Sequence, residues 1–320
     1  MKILVTGGAG FIGSHTTEAL LDRGDEVVCL DNFSDYYTPQ RKYANVAPLL
    51  KRPGYALIEG DVRDEDTLER LFESHKPERV IHIAAMAGVR YSIQHPELYE
   101  SVNVKGTLNV LETARRFEIE NVVFASTSSI YGSRHKVPFN EEDRVDWPVS
   151  PYAATKRACE LLAYTYHHLH GLNFTALRFF TVYGPRGRPD MAPYLFTEAV
   201  FRGTELKMFG DGSSSRDYTY IGDIVQGVVA AIDRPLGYEI INLGNNRTIY
   251  LRDFIALVET LVGRKAQIVP YPMPPGDVPR TCADISKAQR LLGYDPQTPF
   301  EEGLARFVDW YRSEVAGDEP

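Results

Sequence analysis

Cysteine is scarce in this chain of 320 residues: Cys29, Cys159 and Cys282 stand far apart and form no CxxC pair. An odd, scattered count argues against a disulfide framework and a cysteine zinc site. It reads as small buried hydrophobes in a reducing compartment. Histidine supplies no metal pattern either. His167, His168 and His170 crowd one segment, but no HExxH or paired carboxylate spacing accompanies them. They read as surface or interface residues. An excess of positive charge is also missing. The formal net charge is −8, which argues against broad contact with a nucleic-acid backbone. Long hydrophobic runs are absent. Met1-Lys2 leads straight into Ile3-Leu4-Val5, too short for a secretory apolar segment. No apolar stretch approaches the length of a membrane span. Internal repeats and low-complexity tracts are lacking. The expectation is a cytoplasmic protein with neither a nucleic-acid nor a membrane partner.

What is present suits a soluble globular fold. Hydrophobic residues make up 43% of the chain and charged residues 24%, and a core of that size needs no disulfide or metal. The first half alternates short apolar runs with amphipathic segments. Strands are expected at Lys2–Thr6, Glu26–Leu30, Ala56–Glu59, Arg79–Ile83, Val122–Ser126 and Asn173–Phe179. Helices are expected at Phe11–Arg23, Glu65–Ser74, His95–Phe117 and Pro151–His170. Such alternation implies an α/β, doubly wound parallel Rossmann sheet covered on both faces. Past Phe179 proline, glycine and serine become more frequent. Ile224–Ile232 and Glu239–Leu243 read as a helix and strand that rejoin the sheet. The expected division is therefore discontinuous: residues 1–179 with 222–245, and a smaller α/β domain of 180–221 with 246–320.

Gly7, Gly10 and Gly13 follow the first strand and open the first helix, in the run Thr6-Gly7-Gly8-Ala9-Gly10-Phe11-Ile12-Gly13. A turn without side chains lets the backbone approach a pyrophosphate, and the helix N-terminus offers free N–H groups. Glycines also serve simple turns; the strand-to-helix context favours the dinucleotide reading. Asp31 ends the second strand, where a carboxylate accepts ribose hydroxyls and repels a 2′-phosphate, so NAD is favoured over NADP. A turn aspartate is the plainer alternative. Asp61-Val62, after the third strand, is a weaker adenine-side candidate, because Gly-Asp is also a common turn.

Tyr152 and Lys156 are four residues apart and share a helix face behind Pro151. A free tyrosine has a pKa of about 10 and is a poor base at neutral pH. A nearby ammonium favours the phenolate. Lowering it by about three units takes roughly 4 kcal/mol, which Lys156 and a nicotinamide ring can supply together. The pair alone is common on surface helices. Thr127-Ser128-Ser129 follows the fifth strand, where a hydroxyl points into the ligand crevice of such a sheet and can relay a proton to Tyr152. A helix cap is the alternative.

These residues resemble the extended short-chain dehydrogenase/reductases that act on nucleotide sugars. The likeness runs through TGGAGFIG, His82-Ile83-Ala84-Ala85, Asn103, the hydroxyl run before Tyr131-Gly132, YAATK, Arg216-Asp217-Tyr218 and Gly276-Asp277-Val278. The resemblance implies a catalytic Thr127, Tyr152 and Lys156 and a retained NAD. That NAD would be held by Gly7, Gly10, Phe11, Ile12, Gly13, Asp31, Asn32, Asp61, Val62, Ala84 and Ala85. It also implies Asn103 as a residue that helps position the lysine, a nucleoside-diphosphate sugar as substrate, and a homodimer built on the His95–Phe117 and Pro151–His170 helices.

Several reactions share this scaffold. The 4,6-dehydratase branch carries an Asp-Glu pair where this chain has Ser128 and Ser129, and the glucuronate decarboxylase branch carries Glu in place of Ser129. Hydride removal at C4, rotation of the keto sugar and hydride return remain simplest, which is a 4-epimerisation. The stretches around Arg90, Thr181 and Arg188 resemble UDP-glucuronate 4-epimerases more than galactose epimerases, which carry Asn in place of Thr181. Ser128, Ser129, Thr181 and Arg188 then suit a C6 carboxylate. Arg90 fits a substrate, surface or phosphate role. By the same resemblance Arg216 is a diphosphate ligand, Phe209 a uracil contact or a hydrophobic anchor, and Asp277 a ribose contact. Galactose epimerases carry an Arg where Pro274 stands, and Arg280 is a substitute. The alternatives are a neutral UDP-hexose 4-epimerase and a non-catalytic NAD-binding sensor or scaffold.

Overall fold

The computed structural model describes residues 1–273 and 277–317. Pro274 and Gly276, which entered the nucleotide reading, lie outside the described residues. The strands are β1 Lys2–Thr6, β2 Glu26–Asp31, β3 Tyr55–Glu59, β4 Arg79–His82, β5 Asn121–Thr127, β6 Phe174–Phe179, β7 Thr181–Tyr183, β8 Glu205–Phe209, β9 Ser215–Arg216, β10 Tyr218–Tyr220, β11 Tyr238–Leu243, β12 Ile249–Tyr250 and β13 Gln267–Tyr271. The α-helices are α1 Phe11–Asp22, α2 Pro39–Val46, α3 Glu65–His75, α4 Val89–Gln94, α5 Pro96–Tyr99, α6 Gly106–Arg116, α7 Pro151–His170, α8 Ala192–Arg202, α9 Ile221–Asp233, α10 Leu251–Val262, α11 Ser286–Leu292 and α12 Phe300–Glu314.

Seven parallel strands form the main sheet in the order β11-β6-β5-β4-β1-β2-β3. Their alternating side chains divide into two cores, because successive residues of a strand face opposite ways. Ile3, Val5, Val27, Ile81, Val123 and Leu177 face one layer, where Leu20 of α1 and Ile224, Val228 and Ile232 of α9 cover them. Leu4, Val28, Val80, Val122, Phe124 and Ala176 face the other, against α3, α6 and α7. Strand order reverses between β1 and β4, so the crevice for a ligand opens at their C-terminal ends, beside Thr6 and His82. A third core, rich in Tyr and Phe, holds α8, α10 and α12 together. β11 pairs with β6 and α9 packs under the sheet, so the segment around 221–243 returns to it as expected.

The helix expected over His95–Phe117 is not regular. It is split into α5, a π-helical turn at Glu100–Lys105, and α6. The wide turn carries Asn103, which is almost fully buried. Its side chain accepts the Met86 N–H at 2.8 Å and donates to the Met86 carbonyl at 3.0 Å. A regular helical period does not anticipate an inserted residue of this kind, and such bulges gather near functional sites. By contrast α7 has its expected bounds. The Ser150 hydroxyl accepts the Ala153 N–H at 3.2 Å, Pro151 fills the first turn, and Gly171 closes the helix at φ 72°.

Candidate active site

The C-terminal ends of β1, β2, β4, β5 and β6 surround a cavity of about 350 Å³. One half is built by the glycine loop. The Gly7 N–H donates to the Leu30 carbonyl at 2.7 Å, and Gly7 lies at φ 71°. A Cβ on Gly13 would sit 2.1 Å from the Gly7 carbonyl oxygen, so only glycine closes this turn. No side chain caps the start of α1, and Gly10, Phe11, Ile12 and Gly13 line the cavity there. A helix start presented this way suits a pyrophosphate. Asp31 accepts the N–H groups of Ala9 at 3.0 Å and Phe33 at 2.9 Å, which fixes the loop to the end of β2. Burial pushes its carboxyl up, against Lys42 and those backbone donors. Asn32, Val62, Ala84 and Ala85 complete this half. The cradle, the acidic strand end and the uncapped helix together fit NAD.

The other half gathers Thr127, Ser128, Ser129, Tyr152, Lys156, Thr181 and Arg188 around the same space. The Lys156 ammonium donates to the Ala125 carbonyl at 2.7 Å and lies 4.5 Å from the Phe124 ring centre. Burial lowers its pKa to about 8, while Cys159 and Glu160 oppose the shift. Burial also raises the Tyr152 phenol, against the Thr127 hydroxyl and the Arg188 charge. The Thr127 hydroxyl accepts the Ser129 N–H at 3.1 Å and donates to the Ser129 hydroxyl at 3.2 Å. Arg188 holds Asp190 through Nε at 2.9 Å and Nη2 at 2.6 Å; Nη1 is not part of that pair. The Tyr36 hydroxyl donates to the same aspartate at 3.1 Å. Together these groups place a phenol, an ammonium, hydroxyls and a guanidinium around one cavity.

Six expected residues stand outside the cavity lining. Asn103 donates to the Thr155 hydroxyl at 3.0 Å and binds Met86, so it supports the loop after β4 rather than touching Lys156. The Asp61 carboxylate is taken by Arg63 at 2.7 Å and Asn32 at 2.9 Å. Burial opposes its ionisation, but those hydrogen bonds hold its pKa down at about 2. Phe209 and Asp277 both meet Arg90 instead. The Arg90 guanidinium lies 4.3 Å from the Phe209 ring centre and 3.0 Å from an Asp277 oxygen. Arg216 donates to the Ser215 carbonyl at 3.0 Å. Residues not anticipated also line the cavity: Tyr36, Tyr37 and Lys42. Two adjacent tyrosines in the loop after an acidic strand end were the available signal, since loop aromatics usually cover something.

A family model described as GDP-mannose 4,6 dehydratase matches residues 4–307. The chain belongs to that family, within the extended short-chain dehydrogenase/reductases. It is 45% identical to UDP-glucuronate 4-epimerase 4 of Arabidopsis thaliana, over 99% of this chain and 77% of the relative. It is also 45% identical to the UDP-glucuronate 4-epimerase of Thermodesulfobacterium geofontis, over 98% and 96%. Among solved structures it is similar to the UDP-glucuronic acid 4-epimerase of Bacillus cereus in complex with UDP-glucuronic acid and NAD. That match has a TM-score of 0.92 and 36% identity over 98% of this chain and 99% of the other. The UDP-glucose 4-epimerase of Thermotoga maritima with UDP-glucose gives 0.91 and 34%, over 98% and 100%.

Proposed function

We propose that this protein is an NAD-dependent isomerase that interconverts the C4 epimers of a UDP-hexuronate, UDP-glucuronate and UDP-galacturonate. Sequence identity to UDP-glucuronate 4-epimerases across the whole chain supports the reading. The observation that carries it is local. Ser128 and Ser129 occupy the positions where elimination needs acids, and they share a cavity with Thr181 and the half-buried Arg188. Hydroxyls and a guanidinium are what a C6 carboxylate requires.

NAD, when bound, would supply the hydride acceptor and donor for C4. The glycine loop, Asp31, Asn32 and Val62 would hold the cofactor, with Ala84 and Ala85 lining the same space. Tyr152 accepts the proton of the C4 hydroxyl, aided by the Thr127 hydroxyl, while Lys156 stabilises the phenolate. Once the keto sugar has rotated to present its other face, the same phenol returns the proton to the C4 oxygen. A 4-keto uronate is a β-keto acid and loses CO₂ readily when its carboxylate is desolvated and out of the ketone plane. Hydrogen bonds from Ser128, Ser129, Thr181 and Arg188 hold that carboxylate and suppress the loss. Arg90, Phe209, Arg216 and Asp277 take the UDP moiety, which requires Arg90 to release Asp277. The division proposed for these tasks is 1–179 with 222–245 for the cofactor and 180–221 with 246–320 for the nucleotide sugar. A homodimer through α6 and α7 completes the reading, supported by the exposed Leu161 and Leu169 on α7.

The test is turnover of UDP-glucuronate beside UDP-glucose, with the C4 configuration read by NMR. The expected product is the C4-inverted uronate; turnover of UDP-glucose alone overturns the assignment. Arg188→Met is expected to lower kcat/KM for the uronate by about 10- to 100-fold, the worth of about 1.5–3 kcal/mol for hydrogen bonds to a charged group. It is also expected to release CO₂ from the intermediate. Equal loss with both sugars assigns Arg188 to folding instead.

A further inference from the structure

One buried carboxylate binds every element that carries the reacting side chains. Glu160 lies four residues after Lys156 on α7 and is fully buried. Its Oε1 accepts from the Ser126 hydroxyl at 2.7 Å and from Arg178 Nε at 2.9 Å. Its Oε2 accepts from Arg178 Nη2 at 2.8 Å and Arg157 Nη1 at 3.0 Å. Ser126 and Arg178 face each other in the β5–β6 register. Ser126 stands between Ala125, whose carbonyl holds Lys156, and Thr127. Arg178 immediately precedes Phe179 and the turn to Thr181. One side chain thus ties together β5 with Thr127, α7 with Tyr152 and Lys156, and the end of β6 that leads to Thr181.

We propose that Glu160 is a positioning residue for the Tyr152–Lys156 pair: its carboxylate locks β5, β6 and α7 in register and supplies the negative charge that keeps Lys156 an ammonium. This rests on the reading of Tyr152 as the base. The groups acting on Lys156 come from several elements. Phe124 of β5 offers a ring face and no charge. His82 of β4 is held neutral, its pKa brought down to about 3 by burial and by Lys156. Burial raises the Cys159 thiol, so it stays protonated at neutral pH. Arg178 of β6 is a second buried cation. Burial raises the Tyr152 phenol, so its anion needs the ammonium rather than sustaining it. Among the described residues this leaves the Glu160 carboxylate as the standing anion beside a buried lysine. An ion pair serving stability alone is often replaceable by apolar packing. Here the donors adjoin the residues of the site.

The measurement is the tyrosinate ultraviolet difference between each NAD-loaded protein and its Tyr152→Phe partner, followed against pH. It needs no sugar, so it stands whether or not a uronate is the substrate. In Glu160→Gln the Tyr152 signal is expected to move to higher pH. The kcat for UDP-glucuronate falls by about 10- to 100-fold with KM little changed, the cost of misplacing reacting groups. Glu160→Asp restores the charge and returns the titration toward the parent. An unchanged titration in Glu160→Gln, or a Glu160→Asp no better than Gln, reduces Glu160 to a structural staple and overturns the proposal. If Glu160→Gln does not fold, Ser126→Ala carries the test. It cuts one tie and keeps the ion pair. A several-fold loss of kcat at constant KM is then expected, and unchanged kcat is the overturning result.

Discussion

Tyr152 is half-buried, its phenol is pushed up by desolvation, and the Thr127 hydroxyl and the Arg188 charge work against the shift. Tyr152→Phe is therefore expected to lower kcat by about 10²–10⁴-fold while the amount of bound NAD stays the same. Lys156 sets the alkaline limit. Its pKa lies near 8, well below that of a free lysine, because burial disfavours the charged form. As pH rises through about 8 the ammonium is lost, the phenolate loses its support, and turnover falls. A pH–rate profile flat to the alkaline side would remove Lys156 from this role. The spacing of Tyr152 and Lys156 was readable from the sequence because four residues is a helical repeat. The pairing of Arg188, Asp190 and Tyr36 was not, since Tyr36 and Asp190 are separated by 154 residues and only the fold joins them.

At the scale of elements, the glycine loop is the most constrained. A methyl group on Gly13 would strike the Gly7 carbonyl oxygen at 2.1 Å, and backbone cannot move aside as a side chain can. Gly13→Ala is expected to abolish copurification of NAD and to lower the melting temperature by several degrees, as read by cofactor absorbance and thermal unfolding. The strands were legible because a parallel sheet buried on both faces demands continuous apolar runs. α7 was legible from its proline start and helical period. The π turn at Glu100–Lys105 was hidden for the opposite reason. It carries Asn103 to Met86 and Thr155, contacts that no local pattern records. The helices α8, α10 and α12 were passed over among the prolines and glycines after Phe179, although their shared aromatic core is plain once they meet.

The whole molecule carries a pH sensitivity distinct from that of the site. His82 is fully buried between Thr6, 2.6 Å from Nδ1, and Thr107, 3.0 Å from Nε2. Burial and Lys156 hold its pKa near 3, against 6.5 for an unperturbed histidine. Between those values the unfolded chain binds the proton and the folded chain does not. Stability is therefore complete above about 6.5 and declines as pH falls toward about 3. His15, pushed down to about 4 chiefly by burial and Arg186, adds to the same slope. Thermal midpoints measured across this range are expected to fall with acid, and His82→Gln is expected to flatten the decline. An identical slope in both proteins would place the acid lability elsewhere.

By itself the sequence determined the parallel sheet, the dinucleotide turn, the acid at the end of β2 and the Tyr152–Lys156 pair. Each of these is written in local spacing, which the geometry of one strand, turn or helix enforces. Only the tertiary structure decided which distant residues share the cavity. It brought Tyr36 and Lys42 to the lining, left Arg90 in contact with Phe209 and Asp277, and set Glu160 beneath three elements at once. Those arrangements depend on how strands and helices register against each other, and long-range packing leaves no period in the chain.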